Sequence, residues 1–158
     1  MKLYDLRTEY RENPIGLTEK APRFSWKIES DEKDTVQTSY EIKVTDENGK
    51  LVWDSGKKVS DQSVLISYEG EALADETFYT VEVTVADNHG NVESVEGSFE
   101  TGIFDQTEFK AQMITSDFPE DETACPVFGK TFVIDKKVKK ARLYATAHGV
   151  YEVTLNGQ

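Results

Sequence analysis

Among the groups in this chain that could do acid–base, metal or nucleophilic chemistry are 30 carboxylates, two imidazoles and one thiol. The carboxylates crowd most closely at Asp31, Glu32 and Asp34, and again at Glu120, Asp121 and Glu122. A calcium loop gathers about six or more oxygens in one cage, with alternating Asp or Asn and a Gly at the bend, and neither cluster has that pattern. Both therefore read as solvated loops. His89 stands among turn residues and His148 precedes Gly149; together with Cys125 they fall short of a four-ligand zinc site. No serine occupies a Gly-x-Ser-x-Gly elbow, and Ser55 in Asp54-Ser55-Gly56 reads as the close of a strand. Phosphate-cradling glycine loops are absent too. No catalytic, cofactor-binding or metal-ligating residue is assigned. Sugar-binding surfaces stack aromatic rings on pyranose faces, which leaves Trp53, Tyr68 and Tyr151 as the residues to follow. Against that role, Trp53 shares its parity with Leu51 on a strand face expected to be buried.

The elements around these residues have the period of β-structure. Phe24, Trp26 and Ile28 alternate with Ser25 and Lys27, so one face of a strand enters a core. Tyr40, Ile42 and Val44 repeat the pattern, Asp46 to Gly49 supply a turn, and Leu51 and Trp53 resume it as a hairpin. Val64 and Ile66 make a short strand. Tyr79, Val81, Val83 and Val85 then face one way while Thr80, Glu82 and Thr84 face the other, up to the turn Asp87-Asn88-His89-Gly90. A last strand ends near Phe99. The fold class is all-β, a β-sandwich over residues 1–102.

Within it, Leu73, Thr77 and Tyr79, followed by Val81, Val83 and Gly90, resemble the E–F corner of fibronectin type III domains. The resemblance implies a tyrosine corner, with the Tyr79 ring in the core and its hydroxyl bonded to backbone just upstream. Trp26 matches the core tryptophan, and Asp75 departs from the Pro common in that family.

Residues 103–158 read as the incomplete N-terminal part of a second, jelly-roll-like β-sandwich. Ile103 to Phe109 is a connector, Phe118 to Pro126 an acidic loop, and Val127–Ile134, Ala141–Ala147 and Val150–Leu155 are strand candidates. Asn156-Gly157 is a hairpin signal with one residue after it, so the Val150–Leu155 strand is expected to expose an unpaired edge. This part should dock on the first domain, pair with a copy of itself, or both.

A formal charge of −12 repels phosphate backbones, and the basic stretch Lys136 to Arg142 reads as a solvated face, so nucleic acid is not an expected partner. A single cysteine forms no intrachain disulfide. No stretch approaches the ~20 apolar residues of a membrane span, and Met1 to Glu12 has no apolar signal core, so a cytoplasmic location is expected.

Several ordered landmarks are together similar to the N-terminal region of bacterial α-L-rhamnosidases, over nearly the whole chain. They begin with Glu9-Tyr10, Asn13-Pro14-Ile15-Gly16 and Ala21-Pro22-Arg23-Phe24-Ser25-Trp26. Gln37, Tyr40, Ile42, Trp53-Asp54-Ser55-Gly56, Ser60-Asp61-Gln62-Ser63 and Tyr68-Glu69-Gly70 follow. Phe99-Glu100-Thr101-Gly102 and Val150 to Gly157 complete the set. Met113 and Gly129 depart from the Trp and Arg usual there. The resemblance implies an inverting hydrolase of terminal α-L-rhamnosyl residues whose acid and base, roughly 6.5–9.5 Å apart, sit in a later α/α-barrel. This chain is then a non-catalytic spacer and docking piece without cofactors, its partners the remaining domains, with sugar bound weakly if at all. The alternative is a stand-alone carbohydrate-binding or adhesion module.

Overall fold

The computed structural model describes residues 1–105, 107, 109–119 and 125–157. The chain divides into two compact units, Met1–Phe109 and Lys110–Gln158. The first holds eight strands: β1 (Lys2–Thr8), β2 (Arg23–Glu29), β3 (Gln37–Asp46), β4 (Leu51–Asp54), β5 (Lys58–Val59), β6 (Ile66–Ser67), β7 (Phe78–Asp87) and β8 (Val92–Glu100). One antiparallel sheet runs β1-β2-β6; the other runs β4-β3-β7-β8, with β5 continuing along the β4 side of β3.

The alternation that marks each strand decides which face is buried. Ile42 and Val44 on β3, Val81, Val83 and Val85 on β7 and Phe99 on β8 meet Leu3, Leu6, Phe24, Trp26 and Ile66 of the other sheet. Phe24 lies between sheets, its ring 6.1 Å from Trp53 and 6.0 Å from Phe99. Trp26 is buried as expected, its Nε1 donating to Gln37 Oε1 at 2.9 Å. Gln37 Nε2 donates in turn to the carbonyls of Ser60 at 3.0 Å and Gln62 at 2.8 Å, so a polar chain in the core is satisfied throughout.

The tyrosine corner is present. Tyr79 is buried against Phe99, and its hydroxyl accepts the Ala74 N–H at 2.8 Å.

β1 has no counterpart in the alternation read from the sequence. Its buried residues are Leu3, Leu6 and Thr8, a three-then-two spacing. The cause is a bulge: the register against β2 shifts between Tyr4 and Arg7, and Asp5 takes φ 53°. A second shift, between Val44 and Thr45, turns Leu51 outward while Trp53 stays buried, so the shared parity of those two residues is lost.

In the second unit no strand ladder forms among the described residues, and Val127, Phe132, Ile134, Leu143, Val150 and Val153 are exposed. The three strand candidates there are not realised. Alternation alone does not hold a strand, which needs a paired neighbour and a covered apolar face. The turn chemistry does act locally: Asn156 and Gly157 take φ 53° and 81°, the two positive values a type I′ turn requires.

Replacing Tyr79 by Phe leaves the Ala74 N–H without its acceptor and should cost about 1–3 kcal/mol, read from the urea midpoint at unchanged m-value. Gly70 packs where a Cβ would lie 2.5 Å from Trp53 Cβ and from the Tyr68 hydroxyl. Gly70→Ala should therefore destabilise by about 1–3 kcal/mol in the same experiment.

Candidate docking surface

Thr8 and Arg11 exchange backbone hydrogen bonds of 2.9 and 3.0 Å, which closes a tight turn. At its tip Glu9 and Tyr10 have left-handed φ values of 47° and 68°. Non-glycine residues there cost roughly 1–3 kcal/mol each unless their surroundings hold them. Arg23 is the holder. Its backbone N and its Nε donate to Glu9 Oε1 at 2.7 and 2.9 Å, and its Nη2 donates to Oε2 at 2.6 Å. Glu9 N returns a bond of 3.0 Å to the Arg23 carbonyl. The guanidinium lies 5.5 Å from the centre of the Tyr10 ring, which remains 62% exposed. Arg23 hydrogen bonds hold the Glu9 carboxyl below its ordinary 4.5, against the opposing effect of burial, and Glu9 pushes the guanidinium further up.

The next segment is stitched to the far end of β8. Asn13 Oδ1 accepts Ser98 N at 2.8 Å, Pro14 O accepts Glu100 N at 2.9 Å, and Leu17 N donates to Glu100 O at 2.9 Å. Gly102 N then donates to Leu17 O at 2.6 Å. The close approach favours glycine, because a Cβ on Gly102 would lie 3.0 Å from the Gly16 carbonyl oxygen and push that backbone away. Thr101 completes the seam, its Oγ1 donating to Ala74 O at 2.7 Å and accepting Thr77 N at 2.9 Å. Between these anchors Ile15 is exposed, and so is Phe78, which pairs across β7–β8 with Glu100. Tyr10, Ile15 and Phe78 are thus exposed apolar groups on backbone held by hydrogen bonds.

The residues singled out from the sequence fall elsewhere. Trp53 and Tyr68 are buried, edge to face at 5.2 Å, and the Tyr68 hydroxyl donates to Glu71 O at 2.7 Å. Burial pushes that hydroxyl up to about 12. Both rings are packed into the core, Trp53 with 8% of its surface left exposed. Tyr151 is exposed, with its hydroxyl donating to Ala145 O at 2.9 Å. Ser55 supplies ladder bonds in place of a regular strand, its Oγ accepting Ile42 N at 2.8 Å beside Gly56, φ 60°.

Glu32 and Asp34 come together with the β7–β8 turn. Asn88 Nδ2 donates to Asp34 O at 3.0 Å, and His89 Nδ1 lies 3.5 Å from the Glu32 carboxylate. Asp87 organises that turn by accepting the N–H groups of His89 at 2.9 Å and Asn91 at 2.8 Å. Burial acts to raise Asp87, but bonds from Asn91 and His89 outweigh it and hold the carboxyl below 3.8. Asp31, Cys125 and His148 are exposed, and Glu120, Asp121 and Glu122 lie outside the described residues. No group of three or more His, Cys, Asp or Glu able to hold a metal ion occurs among the described residues. No helix among them is long and apolar enough to cross a membrane. The Glu9–Arg23 fork was missed by sequence reasoning, since residues 14 apart carry no local signal that they pair.

Residues 3–105, which contain the seam and nearly all of the strands, match the model of the Rha78A-like, N-terminal immunoglobulin domain. The chain belongs to this family. An α-L-rhamnosidase of Formosa agariphila is 32% identical over 92% of the chain, and one of Alteromonas sp. is 34% identical over 92%; each alignment takes in 18% of the relative. The crystal structure of Streptomyces avermitilis α-L-rhamnosidase complexed with L-rhamnose superposes at TM-score 0.65 with 34% identity, covering 70% of this chain and 11% of that one. The α-L-rhamnosidase of Dictyoglumus thermophilum gives TM-score 0.64 with 35% identity, covering 70% and 13%. The chain therefore spans less than a fifth of the length of these relatives.

In this Rha78A-like immunoglobulin domain the Glu9–Arg23 fork makes stability depend on acid. The folded-state pKa of Glu9 lies below its unfolded value, so the contribution is fully present above about pH 4.5 and is lost as pH falls through the folded value. Glu9→Gln should lower the urea midpoint at pH 7, and the gap to the unsubstituted chain should narrow steadily below pH 4.5. A gap independent of pH would show that the carboxylate charge is not what holds the turn.

Proposed function

We propose that this chain is the non-catalytic docking and spacing module of an α-L-rhamnosidase, the whole protein hydrolysing terminal α-L-rhamnosyl linkages. The observation that carries this is the match of residues 3–105 to an N-terminal immunoglobulin domain of relatives more than five times as long. The carboxylates of the sandwich support it. Glu9, Asp46 and Asp87 are all drawn below their ordinary values by hydrogen bonds that fix turns. A glycosidase general acid needs the opposite shift, upward, to hold its proton near neutrality.

The partners are the remaining domains of the parent enzyme, received at Tyr10, Ile15 and Phe78. Residues 103–158 are the opening of the β-sandwich that follows. The apolar alternation of Val150–Leu155, without a ladder among the described residues, suits pairing with a neighbouring strand of the parent or of a second copy.

The purified chain, incubated with p-nitrophenyl α-L-rhamnopyranoside, should release no more nitrophenol than buffer. Turnover that follows the protein through purification and disappears when a sandwich carboxylate is neutralised would overturn the non-catalytic assignment.

A further inference from the structure

The first unit carries an open groove of about 240 Å³ between the β4–β5 edge of one sheet and β6 of the other. Trp53 and Leu65 are among its apolar lining, and Tyr40, Lys58, Ser67 and Glu69 bring polar groups to it. Tyr40 is half-buried, its ring held edge-on by Trp26 at 5.4 Å, and its hydroxyl has no hydrogen-bond partner among the described residues. Lys58 and Glu69 are exposed and take part in no ion pair among the described residues. Glu9, Asp46 and Asp87 are engaged in turns, whereas here an uncommitted cation and an uncommitted anion line one groove.

The groove selects by charge and size. Its volume is below the roughly 300–1,000 Å³ of drug-sized ligand sites, which limits the occupant to about one ring. Glu69 and a chain charge of −12 disfavour an anion, and Lys58 disfavours a cation. Together they favour a neutral molecule whose groups both donate and accept, as each sugar hydroxyl does: Lys58 donates only, Glu69 accepts only, and the hydroxyls of Tyr40 and Ser67 do either. The apolar lining suits the C–H face of such a ring. Burial and the nearby Glu69 both raise the Tyr40 hydroxyl, which keeps it protonated as a donor.

We propose that this groove is a low-affinity subsite for a single neutral sugar ring, held by Tyr40, Lys58, Ser67 and Glu69 over the Trp53–Leu65 wall. It is separate from the docking surface and from the turnover question, so either can fail without the other.

The test is a two-dimensional NMR titration of the ¹⁵N-labelled 158-residue chain with L-rhamnose and with D-glucose, using sodium acetate and ammonium chloride as ionic controls. At least one sugar should give saturable shifts at the Lys58, Ser67 and Glu69 amides with a dissociation constant of about 1–10 mM. The exposed-residue variants Lys58→Ala and Glu69→Ala should each keep the spectrum of the folded sandwich and weaken binding about tenfold or more. Shifts that rise linearly to about 100 mM, at concentrations far above the millimolar range of a specific weak site, would overturn the proposal. So would shifts reproduced by acetate or ammonium, or an affinity unchanged in both variants.

Discussion

At the margins of a two-sheet sandwich the backbone runs out of neighbouring strands, yet its N–H and C=O groups must still find partners. In this chain side chains take the places of the missing strands. Ser55 Oγ accepts Ile42 N where β4 breaks from β5, Ser25 Oγ accepts Leu65 N beside β6, and Asn13 Oδ1 accepts Ser98 N along β8. Tyr79, Thr101 and Gln37 do the same for Ala74, Thr77 and the carbonyls of Ser60 and Gln62. Each is a neutral bond worth about 1 kcal/mol net, but losing one leaves a desolvated backbone group, and that larger penalty is what fixes the residue type.

This explains why the landmarks of the sequence are short, polar and scattered. Asn13-Pro14-Ile15-Gly16 and Phe99-Glu100-Thr101-Gly102 are two sides of one seam; Trp26, Gln37 and Ser60 to Ser63 are one polar chain with its acceptors. The apolar half of the fold was legible from period-two alternation, because Ile42, Val44, Val81, Val83 and Val85 sit on regular ladders where sequence parity and burial coincide. It failed where the ladder is irregular. Bulges beside Asp5 and beside Thr45 offset parity by one, which hid β1 and exposed Leu51. The Glu9–Tyr10 turn was legible only as a motif, since the Glu9–Arg23 fork and the left-handed pair it supports depend on residues brought together from two strands' ends.

The same logic separates the chain's charges into two kinds. Most acidic groups with shifted pKa values are drawn downward by fixed donors, as Asp46 is by the backbone N–H groups of Lys50 and Asn48. Such carboxylates hold a shape and have no proton to give at neutral pH. Lys58 and Glu69 belong to the other kind, uncommitted and facing a concavity. A charge engaged in the fold is unavailable to a ligand, which is why the proposed subsite is drawn on these two rather than on Glu9, Asp46 or Asp87.

The two units show how far pattern alone reaches. Val150, Val153 and Leu155 have the apolar content of a strand, and Asn156-Gly157 adopts the φ values of its turn, yet no ladder forms among the described residues of that unit. A turn needs only its own residues, whereas a strand needs a neighbour for its backbone and a second layer for its apolar face. In Met1–Phe109 both are supplied: β7 lies between β3 and β8, and Phe24 packs across the layers on Trp53 and Phe99. On the proposed reading, the alternation of Val150–Leu155 would be met by a partner that brings both hydrogen-bonding backbone and an apolar surface.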